Sequence, residues 1–323
     1  ATAVAIKIYD TSRDSDGGAW RKRMQNKSWY QETLNTATRG ARREFPSVAL
    51  IVATTSTVTI YDADDPDLPM WMVFTASSEN MIYLEGVGVV SSVDMVNGEL
   101  SVGVTDGGVS LINFLADKRT LYYSGVGTFS YLDISTRNDG LHLNNATDGN
   151  VLVSRVVNHV TMAVKADAPI DATTGLAVPT GYVSTNGGLS IIKPDGTVVD
   201  SQILNASNQV VKVNTGVWYG VAAGTRIYYA SDTDAQSENF GDEFGDTDGT
   251  ADFVNLTRAE VLASDGTILA LGSASTNELD VAGLMLHDPD YDDQTAGMSA
   301  LITDEFNTGW QYGTSLGTLL CST

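Results

Sequence analysis

Two stretches of this sequence, eighty residues apart, repeat each other. Residues 101–114 read SVGVTDGGVSLINF and residues 181–194 read GYVSTNGGLSIIKP. The core of the match sets Thr105-Asp106-Gly107-Gly108-Val109-Ser110 against Thr185-Asn186-Gly187-Gly188-Leu189-Ser190. In each, two strand-like runs flank Asp or Asn followed by Gly, whose tolerance of positive φ predicts a two-residue hairpin loop. Three weaker copies share the shape: ALIVATTSTVTIYD at 49–62, VWYGVAAGTRIYYAS at 217–231 and ELDVAGLMLHDPD at 278–290. Further strand-like runs follow some of them, at 69–74, 120–123 and 197–199.

A hairpin with one more strand is a small antiparallel sheet that cannot bury both of its faces alone. Radial stacking of such sheets lets each cover its neighbour, which is the logic of a β-propeller. The predicted fold is therefore all-β, a propeller over residues 46–323 with five blades counted and six or seven left open. Tandem β-sandwiches are the competing arrangement for the same strand density. The spacing of the copies is irregular. The eighty-residue offset fits either two blades of roughly 40 residues or one blade followed by a long insertion within 115–178.

The first 45 residues read differently. Asp14-Ser15-Asp16-Gly17-Gly18 predicts a bend, and Trp29, Tyr30 and Leu34 within 20–35 are spaced for a short helix. Charge is also uneven. The chain carries a formal net charge of -22, yet this segment holds nine basic side chains (Lys7, Arg13, Arg21, Lys22, Arg23, Lys27, Arg39, Arg42 and Arg43) against five acidic ones (Asp10, Asp14, Asp16, Glu32 and Glu44). A basic segment on an acidic body predicts docking onto an acidic surface, the chain's own or a neighbour's. Trp20, Arg21, Lys22, Arg23, Trp29, Arg39, Arg42 and Arg43 are the candidate interaction residues, with the tryptophans as apolar anchors. An acidic body repels nucleic acid, so no nucleic-acid partner is expected.

Other classes find little support. No apolar run approaches the ~18 residues of a membrane helix, and residues 1–10 lack the pattern of a signal peptide. A first residue of alanine is what removal of an initiator methionine leaves, so synthesis in the cytoplasm is expected. Cys321 is the sole cysteine, which rules out an intrachain disulfide and a cysteine zinc site. His142, His159 and His287 form no metal motif. There is no P-loop and no G-x-S-x-G elbow, and GVGVV at 86–90 lacks the rest of a dinucleotide site. No catalytic residue is assigned, and no enzyme is expected.

Two acidic stretches bear on metal binding. Residues 231–252 hold eight acids and no base, a pattern usual for a solvated loop. Within it Asp246-Thr247-Asp248-Gly249 resembles the opening of a calcium loop, with Asp252 as a third oxygen donor, although the closing Glu is missing. Calcium at Asp246, Asp248 and Asp252 is thus the one cofactor left open. Asp288-Pro289-Asp290-Tyr291-Asp292-Asp293 is a similar cluster. Trp20, Trp29, Trp71, Trp218 and Trp310 have the chemistry to stack on sugars, but large aromatics also build cores.

The run Asp14-Ser15-Asp16-Gly17-Gly18-Ala19-Trp20-Arg21-Lys22-Arg23, followed by SWYQETLNTATRGARREFPSVALIVA at 28–53, resembles the N-terminus of a group of marine bacteriophage structural proteins of tail or fibre type. The similarity continues through Arg137-Asn138-Asp139-Gly140-Leu141, Ala168-Pro169-Ile170-Asp171-Ala172-Thr173-Thr174-Gly175-Leu176 and Asn307-Thr308-Gly309-Trp310. The resemblance implies a structural component of the virion, in tail, baseplate or fibre, with other virion proteins and further copies of itself as partners and no membrane. Members often continue into a concanavalin-like, glycan-binding sandwich, whereas this sequence stops thirteen residues after Trp310. A module binding host-surface glycan and a glycan-degrading enzyme are the alternative readings.

Overall fold

The computed structural model describes residues 2–34, 37–76, 88–125, 127–139 and 151–200, and beyond residue 200 only eight strands. The chain is all-β, as the repeat predicts. Its contacts divide it into two compact units, Ala1–Asp200 and Ser201–Thr323.

The first unit contains three antiparallel sheets, each with its strands in sequence order. Sheet 1 is β1 (Ala5–Asp10), β2 (Val48–Ala53), β3 (Thr57–Asp62) and β4 (Met70–Thr75). Sheet 2 is β5 (Val90–Val96), β6 (Glu99–Val104), β7 (Gly108–Asn113), β8 (Lys118–Tyr123) and β9 (Gly127–Leu132). Sheet 3 is β10 (Val157–Ala163), β11 (Thr180–Thr185), β12 (Gly188–Ile192) and β13 (Val198–Asp200). The second unit adds sheet 4, made of β14 (Ser207–Val213), β15 (Gly216–Val221) and β16 (Ile227–Ser231). Sheet 5 there is β17 (Val261–Ser264), β18 (Leu269–Ser273), β19 (Gly283–Asp288), β20 (Met298–Ile302) and β21 (Gln311–Tyr312). Five sheets among the described residues match the five blades counted from sequence.

The sheets stack as blades do. In the first unit β5 lies between β1 and β10, so the first strands of three successive sheets run side by side; in the second unit β14 lies against β17. Asp94 on β5 binds both flanking strands, accepting from Lys7 Nζ at 2.6 Å on β1 and from the Met162 amide at 2.7 Å on β10. Ser92 Oγ accepts from the Val160 amide at 3.2 Å. Side chains of β5 thus satisfy edge amides of β10 that would otherwise be left open between the sheets. Between sheets 2 and 3 the space is filled by Val109, Tyr122, Leu152, Val157, Val160, Val183 and Ile192, all buried.

The repeated hairpins occupy equivalent places, joining the second and third strands of sheets 2 and 3. The eighty-residue offset is therefore one sheet step with an insertion, not two steps. Their turns differ from the expected pair of identical loops. Thr185 pairs with Gly188 across a two-residue loop, whereas Val104 pairs with Gly108 across three. Positive φ falls on Gly108 (72°) and Gly188 (127°) rather than on Asp106 or Asn186. A side chain at Gly108 would also strike the Tyr122 carbonyl oxygen, 2.2 Å from where its Cβ would stand. The copies at 49–62 and 217–231 likewise bridge second and third strands. The copy at 278–290 does not: the equivalent hairpin of sheet 5 pairs β18 with β19, and residues 278–290 supply only β19.

The domain boundary expected after residue 45 also moves. Ala5–Asp10 is β1, paired along its length with β2, so sheet 1 takes its first strand from the N-terminal segment. On β1, Ile6 and Ile8 are 62% and 68% exposed. Their partners across the ladder are Val52 and Leu50. On this side Ile6 and Ile8 are exposed and Leu50 and Val52 half-buried, while Tyr9, Ala49, Ile51 and Ile60 fill the other side.

Candidate functional site

Most of the 1–45 stretch singled out for docking folds, at residues 11–34 and 37–47, as an irregular wedge between sheets 1 and 2. A 3-10 turn at Ala19–Arg23 and one helical turn at Ser28–Gln31 stand where a single helix was expected. Both tryptophans expected to act as apolar anchors for a partner are fully buried: Trp20 and Trp29 each have 0% exposure. Trp29 meets Trp71 at 5.5 Å and Phe114 at 5.6 Å between ring centroids. Phe45 meets Trp20, Trp71 and Phe114 at 5.2, 4.7 and 5.2 Å. Most of these contacts are edge-on, the arrangement ring quadrupoles favour. Each indole N–H is satisfied: Trp20 donates to Asp14 Oδ2 at 2.7 Å, Trp29 to the Phe114 carbonyl at 2.8 Å and Trp71 to the Glu44 carbonyl at 2.9 Å.

The arginines serve the same wedge. Arg39, with 0% exposure, donates to the carbonyls of Trp71 at 2.8 Å and Arg43 at 3.0 Å and lies 4.4 Å over the Trp71 ring. Burial, helped by the charges of Arg137 and Arg43 and opposed by Glu32, lowers its pKa to about 10, so it stays charged near neutrality. Arg21 donates to the Phe45 carbonyl at 2.9 Å. Arg42 holds Asp62 and Asp64 at 2.8 and 2.7 Å, and Arg43 donates to the Tyr30 carbonyl at 2.7 Å. Lys22, Arg23 and Arg43 alone of the eight are exposed, and Arg23 pairs with Asp16 at 2.9 Å. The basic segment docks onto acids of its own chain, and Trp20, Trp29 and Arg39 are core rather than partner-facing residues. An irregular chain leaves carbonyls unpaired, and buried guanidinium groups with their many donors satisfy them.

Several residues that complete the site were not anticipated. Asp14 is the hub of a buried network: it accepts from Tyr9 Oη at 2.5 Å, Trp20 Nε1 at 2.7 Å and the Asn97 amide at 2.9 Å. Burial raises its pKa, against these three hydrogen bonds and with a small push from Asp16. Burial, then the Asp14 charge, holds the Tyr9 phenol well above its ordinary value. Asn97 and Gly98, with φ of 49° and 70°, form the two-residue turn from β5 to β6. Asn-Gly is the strongest short hairpin signal a sequence carries, and here it was readable. Arg137 donates to the carbonyls of Val73 at 2.8 Å and Thr38 at 2.7 Å and to Glu32 at 2.8 Å. Asn138 accepts from the Thr75 amide at 2.8 Å and donates to the Val73 carbonyl at 3.0 Å. Together with the bonds from Gly40 to Trp71 and from Val73 to Thr38, these close the outer edge of β4.

The calcium candidates Asp246, Asp248 and Asp252 lie outside the described residues, as do His142, Trp310, Cys321 and most of the 288–293 cluster. Trp218 lies on β15. Among the described residues no group of three or more His, Cys, Asp or Glu is placed to hold a metal ion, and no helix is long and apolar enough to cross a membrane.

Fold and wedge together define an all-β protein of blade-type sheets. No family model matches the sequence, and no curated protein matches it. Similar solved structures include BBS1N in complex with ARL6DN, at 14% identity over 97% of this chain and 69% of that one, with a TM-score of 0.41. PorZ, a surface component of the type-IX secretion system of Porphyromonas gingivalis, matches at 9% identity over 82% of this chain and 36% of its own, with a TM-score of 0.39. The extracellular domain of BT4673 from B. thetaiotaomicron matches at 9% over 84% and 38%, with a TM-score of 0.38. This chain spans little more than a third of the last two. Likenesses this distant assign neither a function nor a partner.

Proposed function

We propose that this chain is a structural protein of a bacteriophage particle, a component of its tail, baseplate or fibre, present in several copies and acting as a rigid interaction platform rather than as an enzyme. One observation carries the reading. The residues through which the chain resembles phage structural proteins are spent on rigidity. Asp14, Trp20, Trp29, Arg39 and Phe45 build the wedge, and Arg137 and Asn138 seal the edge of β4. In the 168–176 run, Leu176 is buried and the adjacent Ala177 carbonyl is held by Asn97 Nδ2 at 2.7 Å. A motif used to lock a body together suits a scaffold, whose value to an assembly is a fixed shape. The -22 charge supports protein rather than nucleic-acid neighbours.

The test is the composition of the particle. Mass spectrometry of gradient-purified virions from the phage that encodes the chain is expected to find it at a fixed ratio to a known tail protein, and labelled antibody to mark one end of the particle. Absence from purified virions overturns the proposal. So does depolymerisation of host polysaccharide by the purified protein.

A further inference from the structure

The hairpin turns that repeat along the sequence meet something in the structure beyond their own strands. The strand reaching sheet 2 passes through Val89 and Val90. The Val90 amide donates at 3.1 Å to the Thr55 carbonyl, in the turn between β2 and β3 of the sheet just left. The Val89 carbonyl accepts at 2.9 Å from the Thr105 amide, in the corresponding turn of the sheet just entered. The Val89 amide donates to Thr105 Oγ1 at 3.0 Å. The strand reaching sheet 3 is held at both turns as well, with the donor and acceptor of the bond to the sheet just left exchanged. The Arg155 carbonyl accepts from the Gly108 amide at 3.0 Å, at the turn of the sheet just left, and the Val156 carbonyl accepts from the Asn186 amide at 3.0 Å, in the turn of the sheet just entered.

Val89 and Val156 therefore hold equivalent places, each one residue before a first strand. The strands that follow carry a second, fainter repeat. VSSVDMV, VNHVTMA and SNQVVKV each shift register after their first residue, bulging at Ser91, Asn158 and Asn208. Val93, Val160 and Val210 are buried at the same position of each. A bulge at the start of a strand turns the entering chain and leaves one backbone group out of the ladder. The turn-to-linker bonds pair main-chain groups next to that irregularity.

We propose that the turn between the second and third strands is a joint: it grips the linker arriving at its own sheet and, at the sheet 1–2 and 2–3 steps, the linker leaving for the next. Sheets 1, 2 and 3 consequently open together rather than one at a time, since a linker cannot loosen without breaking bonds to both neighbours. The TDGG and TNGG repeat marks this coupling and not a ligand site.

Native-state hydrogen exchange by NMR on the full-length chain tests this. The amides of Val89, Val90, Thr105, Gly108 and Asn186 are expected to exchange in the same slow class as those of β6 and β7. Exchange of these amides at rates typical of open turns, with the strands still protected, overturns the proposal. Thr105→Ala removes the hydroxyl that accepts from Val89 while leaving the backbone intact. It is expected to speed exchange at Val89 and at Val90, which bonds to the other sheet, by about tenfold or more. Faster exchange at Val89 alone shows the two grips to be independent and contradicts the joint. Asn186→Ala keeps the amide that donates to Val156 and removes only the oxygen that accepts from Asn158 Nδ2 at 2.9 Å, so the amides of residue 186, Val160 and Met162 are expected to stay in the slow class. If it loosens them as Thr105→Ala loosens Val89 and Val90, side-chain effects and not the turn-to-linker bonds explain the protection, and the proposal fails.

Discussion

The wedge at residues 11–34 and 37–47 and the hairpin at residues 101–113 both contribute to the core, yet they reach burial by opposite routes. In the hairpin, backbone groups pair with one another along β6 and β7, so side chains can be small or apolar on both faces. In the wedge there is no ladder. Carbonyls of Thr38, Arg43, Phe45, Trp71 and Val73 are met by Arg39, Arg21 and Arg137, and Asp14 collects the donors of Tyr9, Trp20 and Asn97. The same physical demand, that buried polar groups be paired, writes an apolar repeat in one region and a charged, aromatic segment in the other. A charged segment is therefore not of itself a surface segment.

The contrast can be broken by mutation. Trp29→Ala removes a fully buried ring at the centre of the wedge and is expected to cost about 3–5 kcal/mol, measured by urea unfolding; a loss below about 1 kcal/mol would put the ring on a soft periphery. Arg39→Ala takes the guanidinium donors from the buried Arg43 and Trp71 carbonyls, although Trp71 keeps the Gly40 amide and Glu32 keeps Arg137, and about 2 kcal/mol is expected. Lys22→Ala, on the exposed side of the same segment, is expected to stay within about 0.5 kcal/mol. Equal effects of the two substitutions would erase the distinction between core and surface arginine and lysine.

A smaller effect separates by pH. Burial opposes ionisation of Asp64, but hydrogen bonds from Ser47, Arg42 and Val48 outweigh it and hold its carboxyl well below the usual carboxylate range. Its stabilising contribution is then present above the unfolded-state pKa and lost as pH falls toward the folded value. Asp64→Asn is expected to cost about 1 kcal/mol at neutral pH, since the pair with Arg42 is partly exposed. The difference from the parent should shrink in thermal unfolding below about pH 4. A difference that grows on acidification would reverse the sign of the argument.

What the sequence disclosed follows the same divide. The second and third strands of four sheets were readable because each pair recurs as a strand-turn-strand unit along the sequence. The first strands were not: VSSVDMV and VNHVTMA carry Ser92, Asp94 and Asn158 among their apolar residues. Two of those polar side chains are needed to bond the neighbouring sheet, which breaks the pattern a strand is recognised by. Within the wedge, the important residue types were seen at Trp20, Trp29, Arg39 and Arg42, but their direction was misread, because charge and aromaticity describe a protein interface and an irregular core equally well. Asn97-Gly98 was the one overlooked feature with a plain local signal. Asp14 had none, since its role depends on Asn97, a residue 83 positions away.

Hydrogen exchange of peptides covering residues 14–32, followed by mass spectrometry on the intact chain, reaches the wedge directly. If the segment is packed between the sheets, these amides should be retained for hours alongside those of 101–113. Complete exchange within seconds, while 101–113 stays protected, would make residues 14–32 an arm after all.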